Sequence, residues 1–120
     1  MLLKQLLLAG LGGMIGSILR FLAGIAFRSA LFPFSTLLVN LSGSLLIGLF
    51  MGWYTRNAIS GDAKILLVTG ICGGFTTLSA LSWENLQLLQ EGKYGLLIGY
   101  SLITVIGGLA CVAIGYYISK

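Results

Sequence analysis

The chain has 120 residues, of which 58% are hydrophobic and only 8% charged, with a mean hydropathy of +1.03. So little polar surface cannot coat a water-soluble domain, which leaves an all-α integral membrane protein of one domain with room for about four spans of about 20 residues. A formal charge of +4 comes from basic residues set singly along the chain, so no patch supports nucleic-acid binding; with no His and no nucleophile–base constellation, the usual enzyme sites are excluded as well.

Span one is expected over about residues 5–27. Lys4 and the apolar run after it resemble a signal peptide, but no small-x-small cleavage site follows, so a retained span is the reading. Gly12, Gly16, Arg20, Gly24 and Arg28 recur every four residues and form one slightly drifting helix stripe. Small residues at that spacing suit close helix approach. A charge this deep must face protein or water, and Arg20 fits either a structural anchor or a vestibule group that attracts anions.

A short connection through Arg28, Ser29 and Ala30 leads to Pro33, which suits a first helical turn. Span two follows over about residues 33–55. Thr36, Asn40, Ser44, Gly48, Gly52 and Arg56 repeat at four-residue spacing, giving one polar or small face on an apolar helix. Asn40 on that face is either helix glue or a donor that lines an anion path. Trp53 and Tyr54 close the span as an interfacial belt.

The polar loop from Thr55 to Ala63 precedes span three, expected over about residues 65–89. Near its middle lies Gly70-Ile71-Cys72-Gly73-Gly74-Phe75-Thr76-Thr77-Leu78-Ser79-Ala80-Leu81-Ser82. Two glycines permit an unwound turn, and the hydroxyls of Thr76, Thr77 and Ser79 suit the cap of a helix that restarts. Non-helical backbone survives at membrane depth only when buried in protein or lining a polar cavity, so the break is a candidate ion site; a glycine-rich packing surface is the alternative. Glu84 follows the break and is expected near the interface. Cys72 and Cys111, with no His in the chain, suggest neither a metal site nor a disulfide.

Span four, over about residues 94–119, is uncharged and places Tyr100, Thr104 and Gly108 at four-residue spacing. Tyr116 and Tyr117 form a second aromatic belt. Lys4, Arg56, Lys64 and Lys120 fall on one side of the membrane against Arg28 and Lys93 on the other. Four against two is a weak bias, and the expectation is mixed insertion, or a mild preference for cytoplasmic termini if a paralogue takes the opposite orientation.

Taken together, Gly12-Gly13-Met14-Ile15-Gly16-Ser17-Ile18-Leu19-Arg20-Phe21, Thr36-Leu37-Leu38-Val39-Asn40-Leu41-Ser42-Gly43 and the Gly70–Ser82 run resemble the CrcB/Fluc fluoride channel family over the whole chain. The resemblance implies a multi-pass protein of the bacterial inner membrane in which two four-helix chains insert antiparallel and form two fluoride pores. It implies a structural sodium ion held by backbone carbonyls at positions matching Gly73 and Thr76. Pore positions match Asn40, Ser79, Tyr100 and Thr104, and the charged positions match Arg20 and Glu84. Where the family pattern reads TTFSTF, this chain has Leu78 and Leu81 in place of the two phenylalanines. An aromatic edge carries partial positive charge that leucine lacks, so these pores are expected to be impaired.

Three functions follow as expectations. The first is a passive fluoride-export channel, or one subunit of it, with donors such as Asn40, Ser79, Tyr100 and Thr104 replacing the anion's water. The second is a pore-impaired structural partner that completes a heterodimer with a paralogue. The third, a small proton-coupled multidrug exporter, needs an embedded acid where span one offers Arg20.

Overall fold

The computed structural model describes residues 1–28 and 32–120; the expected connection through Ser29 and Ala30 lies outside the described residues. Among the described residues four helices are long and apolar enough to cross a membrane. They are α1 (Leu2–Ala26), α2 (Phe34–Thr55), an interrupted third span from Gly61 to Gln90, and α6 (Tyr94–Ser119). At about 1.5 Å per residue, the 25 residues of α1 reach beyond the ~30 Å hydrocarbon core. Among the described residues there is no strand.

The third span changes geometry three times. It opens as α3 (Gly61–Lys64), continues as a π-helix over Ile65–Cys72, closes with one turn, α4 (Gly73–Phe75), and restarts as α5 (Leu78–Gln90). Ser60 caps the start, its Oγ accepting the Ala63 N–H at 3.1 Å. Gly92, in the left-handed region at φ 74°, ends α5: the Lys93 N–H reaches back to the Leu88 carbonyl at 2.9 Å, a closure that strongly favours glycine.

The break sits later than the glycine pattern implies. Gly73 has helical dihedrals, φ −63° and ψ −36°, and α4 runs through Gly74; the backbone becomes extended only at Thr76 and Thr77. Gly74 serves packing instead. A Cβ there would stand 2.6 Å from the Gly13 carbonyl oxygen on α1. Gly12 and Gly16 are buried on the facing stripe, where added Cβ atoms would meet the Gly70 Cα at 2.7 Å and the Phe75 nitrogen at 2.8 Å. Gly12 and Gly16 are therefore the seam along which α1 lies backbone to backbone on the π-helix and α4, while Gly24 of the same stripe meets nothing within 4 Å.

The stripe on α2 divides between two neighbours. Its lower half, Gly48 and Gly52, is buried against α6, where Ser119 Oγ donates to the Gly48 carbonyl at 3.3 Å. Its upper half, Thr36 and Asn40, turns towards the interrupted span, and Ser44 between the two lies with its hydroxyl near Gly108 of α6. One four-residue repeat thus sets both the α2–α6 contact and the polar surface described next.

Candidate ion pathway at the interrupted third span

Thr76 and Thr77 form the only extended step inside the third span, with ψ 153° and 122°, and their peptide groups need partners that helix geometry no longer supplies. Asn40 supplies them. Its Oδ1 accepts the Thr77 N–H at 2.8 Å and its Nδ2 donates to the Thr77 carbonyl at 3.1 Å, so one side-chain amide satisfies both polar groups of one residue. The Thr77 hydroxyl oxygen accepts the Ala80 N–H at 3.2 Å and caps α5.

These bonds have a further effect on the backbone. In a continuous helix the Thr77 N–H would go to the Gly73 carbonyl and the Ala80 N–H to that of Thr76. Both donors are diverted, one to Asn40 and one to the Thr77 side chain. The Gly74 carbonyl, third in the group, accepts from Arg20 Nε at 3.1 Å. Arg20 therefore anchors α1 to the break, and it also lines a cavity of about 170 Å³ with Ser35, Thr36 and Thr77.

Glu84 lies one helix turn beyond the break region's Ala80 and bridges three helices. Thr36 on α2 donates to Oε2 at 3.0 Å and Tyr100 on α6 donates to Oε1 at 2.9 Å. Among the described residues Glu84 has no basic partner; two hydroxyls take that place. Tyr100 is 1% exposed, with the Phe32 ring edge-on at 5.3 Å, and Thr104 donates to its carbonyl at 2.7 Å. One step along, Asn85 Nδ2 donates to Ser101 Oγ at 2.9 Å.

Of the residues expected to line a path, Asn40, Leu78, Leu81 and Thr104 come together around a cleft of about 280 Å³, joined by Ser44 and Thr77. Leu78 stands at its mouth, 75% exposed, whereas Leu81 is 7% exposed and packs with Leu88 and Tyr100. Ser79 is exposed, its Oγ 3.2 Å from the Thr77 hydroxyl. Tyr100 is set behind the cleft, on Glu84. Thr77 caps the restarted helix as its place in the sequence implies, whereas the Thr36 contact with Glu84 is not legible there, although Thr36 stands one turn from Asn40 on the same stripe.

The pattern that describes the CrcB-like protein, Camphor Resistance (CrcB) family matches residues 7–116. The chain belongs to the CrcB family. Similar CrcB relatives carry the name fluoride-specific ion channel FluC. The one from Azobacteroides pseudotrichonymphae is 42% identical, covering 99% of this chain and 98% of its own. That of Thermus thermophilus is 43% identical over 95% and 94%, and that of Flavobacterium psychrophilum 40% identical over 98% of both. Channel membership agrees with the lack of an enzyme constellation in the sequence, and the four apolar helices make this a multi-pass membrane protein.

Proposed function

We propose that the chain conducts fluoride passively across the bacterial inner membrane, as one subunit of an antiparallel dimer in which each chain contributes a wall to each of two narrow pores. The observation that carries this reading is the Asn40–Thr77 clamp at the edge of the cleft. One N–H of the Asn40 amide is spent on the Thr77 carbonyl, and the second is left to meet an anion beside the Thr104 and Ser44 hydroxyls. Fluoride is small and tightly hydrated, so its passage needs fixed donors in a constriction and no covalent step. Relatives named as fluoride-specific channels support the choice of ion.

The cleft is lined by α2, the interrupted span and α6 and is open on the remaining side, with Leu78 exposed at its mouth. A second chain, identical or paralogous, supplies the missing wall in this reading. The Gly73 and Thr76 carbonyls, deprived of their helical donors, fit a hard monovalent cation such as sodium, and two chains would present four such oxygens. When bound, sodium supplies positive charge that ties the two breaks together.

A second reading is favoured by one observation: leucine, with no electropositive rim, stands at both aromatic positions of the family pattern. The chain then serves as the weakly conducting partner in a heterodimer. The multidrug-exporter reading loses support, because both oxygens of Glu84 are engaged by hydroxyls. Fluoride efflux from liposomes holding this chain alone tests the proposal. Efflux above the protein-free rate, with chloride retained, is expected; a rate equal to protein-free liposomes that paralogue addition does not raise would overturn both readings.

A further inference from the structure

One polar cleft lies far from the break. It has a volume of about 420 Å³ and is lined by Gln5, Tyr54, Ser60, Asp62 and Lys64, among others. Its residues come from the start of α1, the end of α2 and the start of α3, the same end of three spans, so it opens at the membrane boundary. The position is one that lipid headgroups occupy.

The lining carries one charge of each sign. Asp62 Oδ2 pairs with Lys4 at 2.6 Å, yet the Asp62 side chain is still 46% exposed and its second oxygen has acceptor capacity to spare. Lys64, in the same lining, holds its ammonium 4.7 Å from the centre of the Tyr54 ring, a contact that leaves N–H donors to spare. The Ser60 oxygen accepts from Ala63, so its own proton is available to donate. On α1, Leu2 and Leu6 flank Gln5 and are 67% and 60% exposed, offering apolar surface beside the polar opening.

From this arrangement we infer that the cleft binds the headgroup of a phosphatidylethanolamine-type lipid. Lys64 and Ser60 hold the phosphate, and the primary ammonium donates to Asp62. The acyl chains lie along Leu2 and Leu6. An anionic phosphatidylglycerol headgroup can give Asp62 only a neutral hydroxyl donor while adding a net negative charge beside the carboxylate. A choline headgroup has no N–H to give it. The mixed lining therefore selects the zwitterion that carries both an anion and a hydrogen-bonding cation.

The test is native mass spectrometry of the full chain with equal amounts of phosphatidylethanolamine, phosphatidylcholine and phosphatidylglycerol bearing the same acyl chains. The ethanolamine lipid is expected to be retained about threefold over choline, the size of one exposed charged contact. Asp62→Asn should bring the two to parity, and Lys64→Gln should lower all three. Lys4→Gln removes the ion pair but leaves the Asp62 carboxylate, so the preference should persist there. Equal retention by the unaltered chain, a preference for phosphatidylglycerol, or loss of the preference in Lys4→Gln as in Asp62→Asn would each overturn the assignment. Soluble glycerophosphoethanolamine competing as well as the lipid would overturn the lipid as occupant.

Discussion

Asn40 and Thr77, 37 residues apart, are joined by two hydrogen bonds that run in opposite directions, from backbone N–H to side chain at 2.8 Å and from side chain to backbone carbonyl at 3.1 Å. An amide is the one short side chain that can do this, since it carries acceptor and donor on one plane. Asn40→Asp keeps the acceptor but faces the Thr77 carbonyl with a second oxygen, and it adds negative charge where an anion would pass. Fluoride efflux should fall by at least about a hundredfold, ~2.7 kcal/mol in barrier. Efflux equal to the parent's would remove Asn40 from the path.

Leu78 and Leu81 separate electrostatics from packing. Leu78 is 75% exposed, so Leu78→Phe adds an aromatic edge without disturbing the fold, whereas Leu81 is buried beside Leu88 and Tyr100 and its replacement by Phe overpacks, at about 1–3 kcal/mol. Leu78→Phe alone should raise fluoride flux by about tenfold, equivalent to ~1.4 kcal/mol. Unchanged flux in a chain that assembles normally would show that leucine is an accepted lining.

How much of this was readable in advance differs from element to element. The four spans are legible because a bilayer demands long apolar runs and tolerates few charges. An interruption around Gly73 to Thr77 is legible from glycines followed by hydroxyls, and the extended step falls at the end of that range, on Thr76 and Thr77 rather than on the glycines. Gly73 and Gly74 look like the unwinding residues, yet α1 claims Gly74 for a backbone contact with Gly13, a demand written some 60 residues earlier in the chain. The spacing of Tyr100 and Thr104 shows that they share a face. It carries no sign that Tyr100 meets Glu84, because that contact depends on how the hairpin after α5 brings α6 back.

The seam between α1 and the third span gives a stability test. Gly12→Ala and Gly16→Ala place a methyl within 3 Å of backbone atoms that cannot swing aside, while Gly10→Ala meets nothing within 4 Å. Thermal unfolding in detergent should show losses of about 1–3 kcal/mol for the first two and almost none for the third. Three equal unfolding temperatures would contradict the close approach.

Glu84 offers a contrast between removing a charge and removing a partner. In Glu84→Gln, hydroxyls can reverse and accept from the new amide, so the bridge survives. Tyr100→Phe leaves a carboxylate oxygen without its donor in a half-buried site, costing about 1–3 kcal/mol. Tyr100→Phe should therefore unfold at a lower temperature than Glu84→Gln, and the reverse order would show that the hydroxyl contributes little.

Gly73 tests the proposed cation site. It is exposed, and a Cβ there would meet only the Val68 carbonyl oxygen, at 3.7 Å, so this chain by itself tolerates alanine. If two breaks face each other across sodium, Gly73→Ala should weaken association and make stability insensitive to replacing sodium by N-methylglucamine, while the parent loses stability in that exchange. A parent indifferent to sodium would remove the ion from this position.

The bridge from Thr36 through Glu84 to Tyr100 also orders events during synthesis. Thr36 has already left the ribosome when Glu84 is made, but Tyr100 comes 16 residues later, on the last helix to be inserted. Until α6 enters the membrane, one carboxylate oxygen lacks its partner, so α5 gains little by leaving the wetter margin of the translocation machinery for lipid. A chain cut short before Tyr94 would lack the Tyr100 donor and leave that Glu84 oxygen without its partner.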